Sequence, residues 1–231
     1  MKLGIIADIH GNYPALKAVL AELDGLGVQD IISLGDVAGY YSMINECIQA
    51  LRERSIVNIM GNHDHYLAFN AGCPRSNAAN QCLNYQRQVI TEDHKAWLSR
   101  SPASLSRGAL RMVHGGWHDV REEYLVQPSA SYFEKLEGRF FFSGHVHVQI
   151  LVPLGAKTYC NPGSVGQPRD GKPEAGFAVF EDDVITLHRV AYDVDATAQA
   201  MKNAGFAPYF YENLYQGTRI GGNISTIRPT A

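Results

Sequence analysis

Short apolar runs that stop abruptly at polar residues recur along the chain. Leu3 to Ala7 ends at Asp8-Ile9-His10, Ile31 to Leu34 at Gly35-Asp36, and Ile56 to Met60 at Gly61-Asn62-His63-Asp64. Farther on, Ala109 to Val113 ends at His114-Gly115, and Phe140 to Phe142 leads into Gly144-His145-Val146-His147. Runs of this length, bounded by glycine and polar turns, predict strands. Between the first of them the spacing changes. Leu16, Val19, Leu20 and Leu23 form one helical stripe after Gly11-Asn12 and Pro14, with Gly25 and Gly27 closing it. Ile44, Cys47, Ile48 and Leu51 form a second, which makes Cys47 a core residue.

Strand, helix, strand, helix, strand in that order predicts a parallel sheet with right-handed crossovers. His65 to Arg100 reads as helical, most clearly from Thr91, where Glu92 and Asp93 occupy a first turn and Trp97 and Leu98 supply the apolar face. Asn70 to Asn80, rich in Ser and Asn around Gly72 and Pro74, reads as a loop. After Ala109 strands dominate, with one helix near Ser129 to Glu137. Asp182-Asp183 forms a hairpin turn between Gly176–Phe180 and Val184–Ala191. A last helix near Val194 to Ala204 precedes Tyr209, Tyr211 and Tyr215, a short helix used for packing or a subunit contact. The expected fold class is α/β (α+β), two mixed β-sheets flanked by helices. It forms a single domain over 1–220 with a weakly structured tail over 221–231.

Composition narrows the function classes. Twenty Lys and Arg against twenty-three Asp and Glu give a net charge of −3, which leaves no electrostatic footprint for nucleic acid or a membrane surface. Bound metal ions would add positive charge, so an anionic substrate remains compatible. Cys47, Cys73, Cys82 and Cys160 show no C-x-x-C pairing and are too few for a disulfide scaffold, which suits a reducing cytoplasm. No apolar run approaches membrane-spanning length, and neither a signal peptide nor an internal repeat is read.

Candidate chemistry lies at the strand ends. Sites in open α/β sheets form at the carboxyl edge of the strands, so the five endings can share one crevice. Pooled, they offer Asp8, His10, Asp36, Asn62, His114, His145 and His147. Seven oxygen and imidazole donors without a thiolate exceed the four that a structural zinc takes, and they suit two divalent ions sharing a carboxylate. One such histidine alone reads as structural; the set does not. His65, His94 and His188 fall outside the pattern and keep the structural reading.

The ordered blocks Asp8-x-His10, Gly35-Asp36, Gly61-Asn62-His63-Asp64, Val113-His114-Gly115 and Gly144-His145-x-His147 closely resemble the calcineurin-like metallophosphoesterase superfamily. The match spans about Lys2 to Arg169. Asn161-Pro162-Gly163-Ser164-Val165-Gly166 looks like its small bacterial and archaeal (YfcE-like) phosphodiesterase branch. The resemblance implies a four-layer αββα sandwich. It implies one metal on Asp8, His10, Asp36 and His147, and another on Asp36, Asn62, His114 and His145, with a hydroxide bridging them for in-line attack on phosphorus. His63 would assist the leaving group, and Asp64 would hold its ring by a hydrogen bond.

Manganese is the first expectation for the two ions, with iron, zinc, nickel and cobalt also compatible. The implied activity is metal-dependent hydrolysis of a small phosphodiester, or of a phosphomonoester. The alternatives are a diadenosine polyphosphate or nucleotide hydrolase, and a non-catalytic interaction module like the retromer subunit of this fold. Such modules lose ligands or the acid histidine, whereas here all are present. A homo-oligomer is compatible. Substrate contacts are expected from Ser164, Arg169 and His118. Trp117 and His118 after His114-Gly115, and Tyr40-Tyr41-Ser42 after Gly39, depart from the serine-proline and glycine-proline turns of relatives, beside the ligand loops.

Overall fold

The apolar runs and helical stripes of the first part become β1 (Leu3–Ile6), α1 (Tyr13–Gly25), β2 (Asp30–Ser33), α2 (Ile44–Glu53) and β3 (Val57–Asn58). The computed structural model describes residues 2–230. Asn12 caps α1 by accepting from the Ala15 amide, Pro14 occupies the first turn, and Leu16, Val19, Leu20 and Leu23 are buried. β3 is shorter than the run Ile56 to Met60. The Met60 amide turns away from the sheet to the Pro102 carbonyl at 2.7 Å, which ends the ladder early.

Three helices follow, α3 (Asn62–Ala68), α4 (Asn77–Val89) and α5 (Glu92–Ser99). α4 starts inside the stretch expected to be loop, because the Ser76 side chain caps the Ala79 amide at 3.1 Å and Ala79, Cys82, Leu83 and Gln86 share a buried face. The second half supplies β4 (Ser104–Arg107), β5 (Leu110–Val113), α6 (Ala130–Phe133), β6 (Phe140–Phe142), β7 (Gln149–Leu154), β8 (Lys157–Pro162), β9 (Ala175–Glu181), β10 (Val184–Val190) and α7 (Val194–Asn203). α6 covers only part of the helix expected up to Glu137. The Lys157 ammonium donates to the carbonyls of Phe133, Glu134 and Leu136, taking acceptors that another helical turn would need.

The strands form two mixed sheets, ordered β10-β9-β1-β2-β3 and β4-β5-β6-β8-β7. β1, β2 and β3 run parallel, and so do β5, β6 and β8, while the outer partners β9, β10, β4 and β7 pair antiparallel. Leu3, Ile5, Ile32 and Ile59 meet Met112, Phe140 and Phe142 between the sheets. Ile6 and Ile31 face α1 and α2 instead, the alternation that a strand requires. The outer face of the second sheet is covered by Phe133 of α6 against Phe141 and Tyr159, with Trp117 beside them. The sandwich is therefore four-layered as expected, with one thin helical layer.

The C-terminal stretch is better fixed than its sequence implied. Two 3-10 turns, Pro208–Phe210 and Glu212–Gln216, pack Leu214 against Tyr41 and Met201. Beyond Gly221 there is no helix, but Ser225 donates to the Arg169 carbonyl at 2.7 Å and Arg228 to the Val126 carbonyl at 2.8 Å. Ile227 is buried against Val146 and Val148. The expected weakly structured tail is thus a strap across the mouth of the ligand loops; its last residue, 231, and residue 1 lie outside the described residues. Among the described residues no helix is long and apolar enough to cross a membrane.

Candidate metal centre

The loops after β1, β2, β5 and β6 meet at one edge and hold one another through their backbones. The Asp8 amide donates to Gly35 O, the His10 amide to Asp36 O and the Gly144 amide to His114 O, each at 2.9 Å. The His145 amide donates to the Asp8 carboxylate at 3.0 Å. Asp8, His10, Asp36, His145 and His147 all have φ between 54° and 65°. Five non-glycine residues in the left-handed region, all at one site, are held there by their surroundings.

Two groups of side chains result, Asp8 with His10 and His147, and Asp36 with His114 and His145. In the first, His10 Nε2 and His147 Nε2 are 3.1 Å apart, and Asp8 Oδ1 is 3.4 Å from His147 Nε2. In the second, His114 Nε2 lies 3.1 Å from both Asn62 Oδ1 and His145 Nδ1, and 3.3 Å from Asp36 Oδ2. Asp36 Oδ2 is also 3.8 Å from His10 Nε2, so it faces both groups. Its other oxygen accepts from the His63 amide at the start of α3, at 2.8 Å. Gly61 makes that approach possible: a Cβ there would stand 2.0 Å from Asp36 Oδ1.

The outer ring nitrogens fix the tautomers. Nδ1 of His10, His147 and His114 donates to the carbonyls of Ala38, Gln167 and Leu34 at 2.6, 2.7 and 3.0 Å. Carbonyls only accept, so Nδ1 carries a proton in each ring; in His10 and His147, whose charged form burial disfavours, Nε2 presents a lone pair. In His10 and His147 two such lone pairs point at each other at 3.1 Å with a carboxylate beside them. That contact is repulsive for neutral rings and becomes favourable once a cation sits between them. His145 turns Nδ1 inward and leaves Nε2 buried without a hydrogen-bond partner. The donor set of carboxylate, amide oxygen and imidazole fits divalent cations.

Charge follows the same arrangement. Burial works against ionisation of Asp36, but His114 and His63 hold its carboxyl well below the usual carboxylate range. Burial also opposes a charge on His114; the neighbouring Asp36, by charge and hydrogen bond, outweighs it and lifts His114 to about 9. Burial pushes Asp8 up to about 7, with His114 pulling down and Asp36 pushing up. His10, His145 and His147 are depressed well below their ordinary value, chiefly by burial.

Comparison with known proteins then gives the family. The model of the calcineurin-like phosphoesterase superfamily domain matches residues 1–183. The chain belongs to that superfamily. It is 30% identical to a metallophosphoesterase from Sphaerobacter thermophilus of known structure, covering 94% of this chain and 100% of that one with a TM-score of 0.83. It is 26% identical to the uncharacterised protein MJ0912 of Methanocaldococcus jannaschii, over 93% of this chain and 98% of the other. It is 25% identical to phosphodiesterase YfcE of Escherichia coli, over 81% and 91% respectively. The resemblance read from five short blocks therefore extends over the whole phosphoesterase fold.

The structure of this phosphoesterase brings all seven candidate ligands together and sets His63 beside them, buried, with its ring 5.1 Å from that of His10. Burial lowers His63 to about 4, and its Nδ1 has no hydrogen-bond partner. Gly39, at φ +96°, lies against it, with room for no Cβ: one would be 2.6 Å from His63 Nδ1. Asp64 does not hold the His63 ring as expected. Its carboxylate accepts from the amides of Asp36, Ala38 and Gly61 and from Asn58 Nδ2 at 2.9 to 3.2 Å, so it ties the Asp36 loop to the start of α3. Burial, with the charge of Asp36, pushes Asp64 up to about 6.

Two expected substrate contacts are corrected. Ser164 is fully buried and occupied, donating to Asp8 O at 2.7 Å and accepting from the Gln167 amide at 2.8 Å. His118 is 76% exposed and pairs with Glu123 at 3.5 Å, on a different surface from the centre. Arg169 is placed differently. Its guanidinium lies 5.3 Å over the Tyr40 ring and donates to Gln167 Oε1, in a cavity of about 450 Å³ that also reaches Asn62 and His63. Tyr40, one of the departures from family pattern, packs edge-on against His10 at 4.7 Å. Trp117, the other, belongs to the outer layer against Phe133 and Phe141. The structural histidines read as such: His94 bonds Asn45, His188 stacks on Phe177 and His65 meets Arg121.

Sequence reasoning missed Gln86, Gln167 and Arg219. Gln86 donates to the carbonyls of Gly39 and Tyr41 and accepts from the Gly39 amide. A glutamine at a core position of a helical stripe was its only signal; Arg219 carried none.

Proposed function

We propose that the protein hydrolyses phosphodiesters with two divalent ions, one held by Asp8, His10, His147 and Asp36 and the other by Asp36, Asn62, His114 and His145. The observation that carries this reading is the position of Asp36 Oδ2, 3.3 Å from an imidazole nitrogen of one group and 3.8 Å from one of the other. Two ions bound there would supply a water nucleophile at neutral pH and neutralise charge on the phosphoryl group. Manganese is the ion to test first, since a thiolate-free set of this kind also accepts iron, zinc, nickel or cobalt.

The chain's own residues orient and donate. Burial keeps the His63 ring neutral at pH 7, so it acts as an N–H donor to the departing ester oxygen. The new P–O bond forms to the water oxygen and the P–O bond to the alcohol breaks; the proton the water loses ends on the departing oxygen, which the His63 N–H steadies by a hydrogen bond. Asn62 and His63 reach the cavity in which the substrate would lie, and Arg169 lines its wall. Preference for a diester rests on the likeness to phosphodiesterase YfcE.

The test is hydrolysis of bis-p-nitrophenyl phosphate and of p-nitrophenyl phosphate by metal-stripped protein, with and without manganese. Manganese-dependent cleavage favouring the diester is expected. His63→Ala should lower turnover of an alkyl phosphodiester roughly a hundred- to ten-thousand-fold, and that of the nitrophenyl esters less, while metal content stays unchanged. Full activity in that variant on esters with poor leaving groups would remove His63 from the reaction. No turnover of either ester with any of the five metals would overturn the hydrolytic reading.

A further inference from the structure

The cavity beside His63 is positively charged in a chain whose net charge is −3. Arg75, Arg169 and Arg219 line it, together with Tyr40 and Tyr124, and no aspartate or glutamate does. Arg75 is compensated, pairing with Glu122 at 3.5 Å and lying 5.2 Å over the Tyr124 ring. The other two are not. Arg169 is 4% exposed, and neither it nor Arg219 has a carboxylate within ion-pair distance among the described residues. A guanidinium that is buried without a counter-charge is costly unless an anion completes it.

Both arginines are held in position by neutral partners. Arg169 donates from Nε and Nη2 to Gln167 Oε1 at 2.9 and 2.6 Å. Arg219 donates from Nε to Ser225 Oγ at 2.8 Å, and the Ser225 amide donates to the Arg169 carbonyl at 2.7 Å. One serine of the C-terminal strap therefore links the two. The backbone amide of Arg169 also donates to the carbonyl of His147, at 3.1 Å, which ties the pair to the candidate ligands. Arg169 is among the charges acting on Asp8, His10, His63, His145 and His147, and Arg219 is lowered by burial and then by Arg169. The order runs from the centre to Arg169 and then outward to the exposed Arg219.

We propose that Arg169 and Arg219 form a second anion subsite, which takes a phosphate of the substrate other than the one being cleaved. This rests on the phosphoesterase reading for the word "substrate", but not for the binding itself. A row of cations leading outward fits a substrate whose anionic groups follow one another, such as a phosphoanhydride chain or a diester with a phosphorylated arm. The tyrosines on the same wall suit the organic part of such a molecule. Fork-shaped guanidinium donors are matched to phosphate oxygens.

Inorganic pyrophosphate and inorganic phosphate are the probes. Titration calorimetry on the full, metal-stripped chain removes chelation by the ions, after circular dichroism has established that each variant is folded. Wild type should bind pyrophosphate about tenfold or more tightly than phosphate, and Arg219→Gln should weaken pyrophosphate about tenfold. Arg219→Lys should recover part of that loss, and raised salt should weaken binding in wild type more than in Arg219→Gln. Equal affinity for the two anions, or pyrophosphate binding unchanged in Arg219→Gln, overturns the subsite. Turnover of bis-p-nitrophenyl phosphate together with no pyrophosphate preference would sink the subsite alone. A pyrophosphate preference lost in Arg219→Gln without turnover of any ester would support the subsite and sink the hydrolytic reading.

Discussion

A methyl group on Gly39 would have to occupy space that the His63 ring already fills. Its Cβ would lie 2.6 Å from His63 Nδ1, 2.9 Å from Cγ of the same ring and 3.0 Å from His10 Nδ1. Ordinary contact needs about 3.5 Å, so the His63 ring must retreat by roughly 1 Å. The loop cannot yield instead, because Gln86 grips Gly39 from both sides, accepting from its amide at 2.8 Å and donating to its carbonyl at 3.0 Å. At φ +96° an alanine also costs about 1–2 kcal/mol of stability. Displacement of a catalytic donor by about 1 Å lowers turnover roughly a hundredfold. Gly39→Ala should therefore remain folded, with a lowered urea midpoint, and take up as much added manganese as wild type. Its kcat on an alkyl phosphodiester should fall by about two orders of magnitude, with a smaller loss on bis-p-nitrophenyl phosphate, whose leaving group needs no proton. The measurement is kcat on both esters beside metal content by atomic emission. Alkyl-ester turnover within threefold of wild type, in folded and metal-loaded protein, would refute both the placement of His63 and its role.

Gln86→Leu leaves the Gly39 amide and the carbonyls of Gly39 and Tyr41 without their buried partner; denaturant titration should show a loss of roughly 3 kcal/mol, and a loss under 1 would mean water replaces the side chain. Asp36→Asn should abolish stoichiometric binding of both ions and not of one, since Asp36 Oδ2 faces both groups; retention of one full equivalent by atomic emission would contradict sharing. Stability of the metal-stripped protein should fall with acid. His10, His63, His145 and His147 are depressed when folded, so unfolding takes up their protons below about pH 6.5, while the raised Asp8 and Asp64 partly offset this. The histidines outnumber the two raised carboxyls, so the urea midpoint should fall as the pH drops from 6.5 to 5, and a midpoint that holds or rises over that range would refute it.

The strand ends were legible because they break a simple rule. An apolar run that terminates in Asp8, His10 or His147 has no packing reason to do so, and several such runs in a strand-helix order converge by topology alone. Helix α1 was equally legible, since its apolar spacing, Asn12 cap and Pro14 agree. What stayed hidden depends on partners far away in sequence. The first turn of α4 was obscured by Asn and Gln in its own sequence, and the Ser76 cap marks it. The end of α6 is decided by Lys157, more than twenty residues later. The two carboxylates Asp36 and Asp64 have the same chemistry in the sequence. Backbone direction alone turns one toward the histidines and the other toward the amides of its own loop. The strap beyond Gly221 lacks periodicity altogether and takes its shape from the carbonyls of Arg169 and Val126.

The left-handed backbone at Asp8, His10, Asp36, His145 and His147 is a cost to the fold. Glycine at any of the five would relax the backbone by about 1 kcal/mol, but it would also leave a buried partner unpaired, such as the His145 amide at Asp8 or the Ala38 carbonyl at His10. The two effects are of similar size, so discarding a ligand gains the fold nothing. The same side chains that face the candidate ions also fasten the loops to one another, and a descendant that no longer bound metal would still need them to keep this edge of the sandwich in shape.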